Sequence, residues 1–240
     1  MSAGSISERL EMQGVLHIPG VLGSAQLEKL WARLQPETSV GAVRTSAQEV
    51  YGARGLLAAR SELLPLFIEL GLDTIARVAL GVPAFPIDAV FLDKHAELNW
   101  AVPAHQDVVV PVPASAVLPG GRRSRRRNGV TYGEPGDEVL DELVALRVHL
   151  DEAGADSGGL CVLDASHRRG RLPDAEIRRI GLETYRQTQC SAGDVLLMKP
   201  LTVHRSLRSA TPARRRVLQV LYAPRGGWHW QHDPDRGRHD

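Results

Sequence analysis

From about Pro86 onward the chain is written in short, β-branched apolar runs closed by Gly, Pro or Asp, and this texture limits the folds open to it. Candidate strands are Asp88–Asp93, His105–Val112, Val144–Asp151, Gly159–Leu163, Gln187–Cys190, Val195–Met198, His204–Arg208 and Arg215–Tyr222. Short strands with regular turn punctuation predict a sandwich or jelly roll. Upstream the period changes. Ser7–Gln13 reads as a short helix, and Gly14–Gly20 as a short strand ended by a turn. Ser24–Leu34 reads as an amphipathic helix capped by Ser24, with Leu27, Leu30, Trp31 and Leu34 on one stripe. Ser46–Tyr51 fits neither pattern cleanly. Leu63–Leu80 is helical in period, with Leu64, Phe67, Ile68, Ile75 and Leu80 apolar, Gly71 as a break and Gly81-Val82-Pro83 as its end. The expectation is a mainly β protein with flanking α-helices. It is one domain over 1–240: a mainly helical part (1–85) bracing a jelly-roll core (86–223), then a tail (224–240). No internal repeat is present.

Bulk properties exclude several classes. The chain has 240 residues, 43% hydrophobic and 24% charged, with a formal net charge of +1. That is ordinary globular composition, and no global field points to nucleic acid or an acidic membrane surface. The basic residues are nearly all arginine; Lys29, Lys94 and Lys199 are the only lysines. Two distant cysteines, Cys161 and Cys190, make neither a disulfide framework nor a thiolate zinc site. The start, Met1 to Arg9, is polar, and no apolar stretch approaches the roughly 18–20 residues needed to cross a bilayer. A reduced, cytoplasmic setting is expected, without membrane or nucleic-acid partners.

The residues that suggest chemistry are His105-Gln106-Asp107, a distant His204, and Arg215. Two imidazoles and a carboxylate are the ligand set of a non-haem Fe(II) site, which leaves metal positions open. On a strand, alternate residues share a face, so His105 and Asp107 can reach one ion while Gln106 points away. His204 follows a turn, the apolar strand Val195–Met198 and a second turn at Lys199-Pro200. Arg215 opens an apolar strand, where a guanidinium is costly unless an anion partners it.

Six segments belong together: Phe91-Leu-Asp-Lys, Asn99-Trp-Ala-Val-Pro-Ala-His-Gln-Asp, Leu146-Arg-Val-His-Leu-Asp, Gly158-Gly-Leu-Cys-Val-Leu-Asp-Ala-Ser-His-Arg-Arg-Gly, Gly193-Asp-Val-Leu-Leu-Met, and His204-x-Ser followed by Arg215. In this order they resemble the phytanoyl-CoA dioxygenase-like (PhyH) family of Fe(II)/2-oxoglutarate-dependent oxygenases. The resemblance runs from about residue 86 to 223. It implies a cupin-like double-stranded β-helix, iron held by His105, Asp107 and His204, and 2-oxoglutarate and O2 as co-substrates. It also implies that Arg215, Ser206 and Lys94 receive the distal carboxylate of 2-oxoglutarate. The implied reaction oxidises, most simply hydroxylates, a small molecule while 2-oxoglutarate becomes succinate and CO2. Two departures stand out. The family's usual Pro-Gly-Ser-His is Asp164-Ala165-Ser166-His167 here, which alters a turn. Arg214 and Arg216 flank Arg215, so spacing alone selects among three arginines. Related halogenases resemble the same pattern but carry a small residue where Asp107 stands, so a carboxylate there favours hydroxylation or a related oxidation. The competing readings are a metal enzyme on the same barrel that needs no 2-oxoglutarate, and a non-catalytic binding module on that fold.

Other candidates read more plainly. Asn99 and Trp100 are candidate substrate contacts or a turn residue and a packed aromatic. His149 reads as a hydrogen-bonded interior histidine, His167 as a loop-shaping residue, and His17 and His95 have no supporting neighbours. Pro113–Glu138 reads as a long Arg-rich loop. Within it Arg122–Arg127 is a solvated segment or a mobile lid hinged at Gly120-Gly121 that supplies positive charge. Trp228, Trp230, His229, His232 and His239 belong to a polar tail.

Overall fold

The computed structural model describes residues 3–34, 44–46, 49–97, 99–113, 121–127, 130–211 and 213–226. The chain begins with α1 (Ala3–Gln13), β1 (Val15–Ile18), α2 (Ser24–Leu34), β2 (Arg44–Ser46) and β3 (Glu49–Ala53). Three helices follow, α3 (Leu56–Ala59), α4 (Leu63–Glu69) and α5 (Leu72–Leu80), and then the long strand β4 (Ala84–Lys94). After it come β5 (Val102–His105), β6 (Val110–Pro111), β7 (Arg122–Arg127), β8 (Val130–Glu134), α6 (Asp137–Asp141), β9 (Val144–His149) and β10 (Leu160–Val162). The chain finishes with α7 (Asp174–Ile177), β11 (Arg186–Gln187), β12 (Val195–Met198), β13 (His204–Ser206) and β14 (Arg215–Pro224).

Antiparallel pairing builds a seven-stranded sheet, β1-β12-β9-β14-β4-β3-β2, and a four-stranded sheet, β11-β10-β13-β5. The mainly β jelly-roll expectation holds, although the two sheets stay separate and do not close into a barrel. Alternation explains why β9 and β14 are buried on both faces. Leu146, Val148, Leu218, Val220 and Tyr222 point outward into one cluster with Leu10, Leu30, Leu34, Phe67 and Ala76 of the helices. The helices therefore brace the back of the large sheet. Truncating one such leucine to alanine costs about 2–5 kcal/mol. The opposite face of the same strands looks toward the small sheet, and this is where the polar residues lie.

The helical readings need adjustment. Gly71, with φ 74°, splits the predicted long helix into α4 and α5, and Gly81, with φ 73°, ends α5. Ile68 is not on the buried stripe but exposed. Phe67 is buried as expected, and Leu64, Ile75 and Leu80 pack partly buried against the core, while Leu63, Leu66, Leu72 and Ala76 add buried positions. Ser24 is the first helical residue of α2, not its cap. Gly23 holds that place: its carbonyl accepts the Leu27 N–H, and its own N–H donates to Gln26 Oε1 at 2.9 Å.

The Arg-rich stretch is also a correction. Arg122–Arg127 is a strand, not a loop, paired with Val130–Glu134 in a three-stranded sheet, β6-β8-β7. Gly120 and the tail residues Trp228, His229, Trp230, His232 and His239 lie outside the described residues. Ala165 is the only non-glycine with positive φ among the described residues, at 57°. The substitution noted in the sequence therefore puts a Cβ where left-handed backbone costs about 1–2 kcal/mol. Both cysteines are buried and unpaired, and no described helix is long and apolar enough to cross a membrane.

Candidate metal centre

The small sheet sets two imidazoles side by side, tilted 51° to one another. β5 and β13 pair so that His105 lies opposite His204, with ring centroids 4.3 Å apart. The Nδ1 of His105 is 2.8 Å from the Pro103 carbonyl, and that of His204 is 2.9 Å from the Thr202 carbonyl. A carbonyl can only accept, so each Nδ1 carries the proton and donates, leaving the Nε2 lone pairs free for a metal. Asp107 does not sit in a strand, contrary to the expected strand His105–Val112. The strand stops at His105, and the Asp107 N–H donates to the Pro200 carbonyl at 2.9 Å. The neighbour Gln106 faces the other way. Its amide donates to the Leu201 and Gly170 carbonyls and accepts the Leu172 N–H, pinning the bend that aims Asp107.

The outcome is a compact donor set. Asp107 Oδ1 is 3.5 Å from His105 Nε2, and Oδ2 is 3.8 Å from His204 Nε2. The three groups each place a ligand atom within 4.8 Å of the others. Donors at roughly 2.0–2.2 Å from one ion fall in this range of mutual separation after small side-chain rotations. Gln219 Nε2 donates to Asp107 Oδ2 at 3.1 Å, so all three groups are oriented from behind. Burial pushes the Asp107 carboxyl up, but the charges of His204 and His105 and the hydrogen bonds outweigh it and hold Asp107 well below the usual carboxylate range. The His204 side chain is 3% exposed and that of His105 39%, so the site opens past His105.

A cavity of about 260 Å³ adjoins this cluster, lined by His105, Asp107, His204 and by Lys94, Trp100, Arg147, Ser206, Arg215 and Gln219 among others. Arg215 pairs across from Lys94, and both are buried. Lys94 Nζ donates to Ser206 Oγ at 2.9 Å and to the Leu207 carbonyl at 3.2 Å, and lies 5.1 Å from the centre of the Trp100 ring. Gly158 keeps that carbonyl in place: it has φ 65°, and a Cβ there would be 2.6 Å from Leu207 O. Burial, with Arg215 and Arg147 nearby, pushes the Lys94 ammonium down to about 7. Burial and Arg147 also lower Arg215, to about 10. Its Nε and Nη1 are buried with no protein partner.

The flanking arginines differ from Arg215. Arg214 forks onto Asp93 on the outer face, and Arg216 onto Asp151. Strand parity thus sends only Arg215 inward. Trp100 lines the cavity, whereas both ends of the Asn99 amide are bound to Ser209 at 2.7 Å, away from it. His149 is fully buried, but the expected hydrogen bond is absent: neither ring nitrogen has a protein partner. Burial, with Arg147 and Arg215 close by, drops it to about 3. His17 and His95 do have neighbours, Asp194 at 2.7 Å and Glu97 at 2.8 Å, and both pairs lie apart from the cavity. His167 shapes a turn, with Nε2 3.0 Å from the Glu11 carbonyl.

Arg147 and Gln219, two residues that stand behind Asp107, were missed in the sequence. Arg147 lies mid-strand among apolar neighbours, a placement as costly as that of Arg215 and readable on the same ground. Gln219 carries no such signal; only the register of β14 brings it under Asp107.

The sequence profile of the family described as phytanoyl-CoA dioxygenase (PhyH) matches residues 10–217. No curated protein matches the chain by sequence. Similar solved structures include the non-haem α-ketoglutarate-dependent carbocyclase SnoK from nogalamycin biosynthesis, at 16% identity and TM-score 0.67, covering 99% of this chain and 91% of that one. The epimerase SnoN in complex with Fe3+, α-ketoglutarate and nogalamycin RO aligns at 16% identity and TM-score 0.66, covering 92% and 83%. HygX from Streptomyces hygroscopicus, with nickel and 2-oxoglutarate bound, aligns at 20% identity and TM-score 0.60, covering 93% and 88%. At such identities the likeness is one of fold.

Proposed function

The chain belongs to the phytanoyl-CoA dioxygenase family, and we propose that it is an Fe(II)/2-oxoglutarate-dependent dioxygenase that hydroxylates a small molecule. His105, Asp107 and His204 hold the iron. Arg215, with Ser206 and Lys94, takes the distal carboxylate of 2-oxoglutarate. The observation that carries this reading is the pairing of a two-histidine, one-carboxylate cluster with a buried guanidinium whose Nε and Nη1 have no protein partner, in one cavity. A buried cation without an anion is expensive, and a bound carboxylate removes that expense.

The iron and 2-oxoglutarate would together supply oxidising power from O2, with 2-oxoglutarate leaving as succinate and CO2. The protein's part is placement. Pro103 and Thr202 fix the imidazole tautomers, and Gln219 aims the carboxylate. The Lys94 ammonium and the Ser206 hydroxyl offer donors beside Arg215. Trp100 and the open side at His105 form the wall a substrate would meet. The neighbours named for epimerisation and carbocycle formation are consistent with one hydrogen abstraction leading to several outcomes. Asp107, as a third protein ligand, supports hydroxylation over halide transfer.

The test is an anaerobic titration of the apoprotein with Fe(II) and 2-oxoglutarate, followed by visible absorption. A weak charge-transfer band that needs both components, and fades in His105→Ala and Arg215→Ala, is the expected result. Iron binding without a band would favour a metal enzyme independent of 2-oxoglutarate, and no iron binding would favour a binding module.

A further inference from the structure

Three buried cations reach this cavity, Lys94, Arg147 and Arg215, against one carboxylate, Asp107. The distal carboxylate of a 2-oxo diacid accounts for Arg215 and Lys94, which face each other across β14 and β4. Arg147 is close enough to act on both charges but comes from a different strand. It lies on β9 opposite Gln219, further along β14 from Arg215. Its Nη1 donates to Gln219 Oε1, and Gln219 in turn donates to Asp107 Oδ2. Arg147 is therefore one side chain removed from a metal-binding carboxylate. Its Nε is buried and has no protein partner. A cation held there beside a metal dication is repelled unless a second anion lies between them.

We propose that Arg147 is a second anchor for the co-substrate, receiving the carboxylate at the 2-oxo end while Arg215 and Lys94 receive the distal one. This rests on the oxygenase reading above. The chemistry suits it: a carboxylate that gives one oxygen to a metal keeps another free to accept a charge-assisted hydrogen bond. Gln219 then has two roles, since its carbonyl orients Arg147 and its amide orients Asp107. The cavity would grip a 2-oxo diacid at both ends, and a 2-oxo monoacid at the metal end alone.

Pyruvate, which has the 2-oxo acid end and no distal carboxylate, separates the two anchors. Dissociation constants for 2-oxoglutarate and pyruvate would be read from the charge-transfer band on anaerobic Fe(II)-loaded protein. Arg147→Met should weaken both acids by a similar factor, roughly thirtyfold or more. Arg215→Met should weaken 2-oxoglutarate comparably and leave pyruvate unchanged. Arg147→Lys, which keeps the charge but not the fork, should fall between, and unaltered circular dichroism and iron affinity would show that each variant is folded. If wild type gives no band with either acid, the oxygenase reading itself fails and takes the inference with it. If wild type gives the band and Arg147→Met binds pyruvate as tightly as wild type does, the inference alone is overturned.

Discussion

Arginines gather in two parts of this molecule and are held in opposite ways. On β7, Arg125 and Arg126 are exposed on a surface strand. In the cavity, Arg147 and Arg215 are buried in largely apolar strands, and each keeps at least one guanidinium nitrogen without a protein partner. The first group is dense in sequence and energetically cheap, because water solvates each charge. The second is sparse, and several kcal/mol per ion oppose its burial. A site is marked here not by where positive charge accumulates but by where it stands in spite of its surroundings.

The sharpest test of this contrast is affinity for 2-oxoglutarate. Arg215→Ala should weaken it by roughly thirtyfold or more, since a buried, hydrogen-bonded charge pair is lost. Anaerobic titration of the Fe(II)-loaded protein gives the number. Equal losses from Arg125→Ser and Arg215→Ala would dissolve the distinction between the two regions.

Much of that distinction was legible beforehand. Val195–Met198 has the same bounds in sequence and structure, and β9, β13 and β14 begin where their runs begin. Arg215 stood out by its cost in an apolar run. The choice among Arg214, Arg215 and Arg216 needed parity: Asp93 and Asp151 capture the outer two. The segment after His105 could not be read, because what ends that strand is distant, the Pro200 carbonyl taking the Asp107 N–H and Gln106 tied to Leu201 and Gly170. The β7 strand was hidden for a similar reason. Arg122–Arg127 has no apolar alternation, and only its pairing with Val130–Glu134 makes it a strand. Asn99 resembled a pocket residue by its nearness to His105, yet Ser209 holds both ends of its amide.

Lys94 extends the contrast to pH. The folded protein pushes its ammonium down to about 7, while in the unfolded chain it stays near the ordinary lysine value of about 10.5. Between these values the unfolded state binds more protons, so the apoprotein should gain stability on Lys94's account as pH rises from about 7 to 10. A carboxylate bound beside Lys94 favours the charged form. Binding of 2-oxoglutarate at pH 8 should then take up close to one proton. Calorimetry in two buffers of different ionisation enthalpy would show this as a difference in apparent heat. Lys94→Met should abolish both the uptake and the stability slope; uptake that persists would assign the proton to another group.

Apoprotein stability gives a smaller effect, of opposite sign to the loss of affinity. Replacing an uncompensated buried cation by an apolar chain of similar length removes a desolvation cost without breaking an ion pair. Arg215→Met should therefore raise the denaturation midpoint of the ligand-free protein, by on the order of 1 kcal/mol, while it impairs co-substrate binding. The double variant Arg125→Ser/Arg126→Ser should do neither. Both side chains are solvated, so the expected change in stability lies within about 0.5 kcal/mol, and the expected change in 2-oxoglutarate affinity is none. Urea denaturation of the two apoproteins in parallel measures the stability part. A cavity variant that loses stability would mean that Arg215 already has compensation within the apoprotein. A surface variant that loses affinity would mean that β7 reaches the ligand, and the two arginine regions would then be one site.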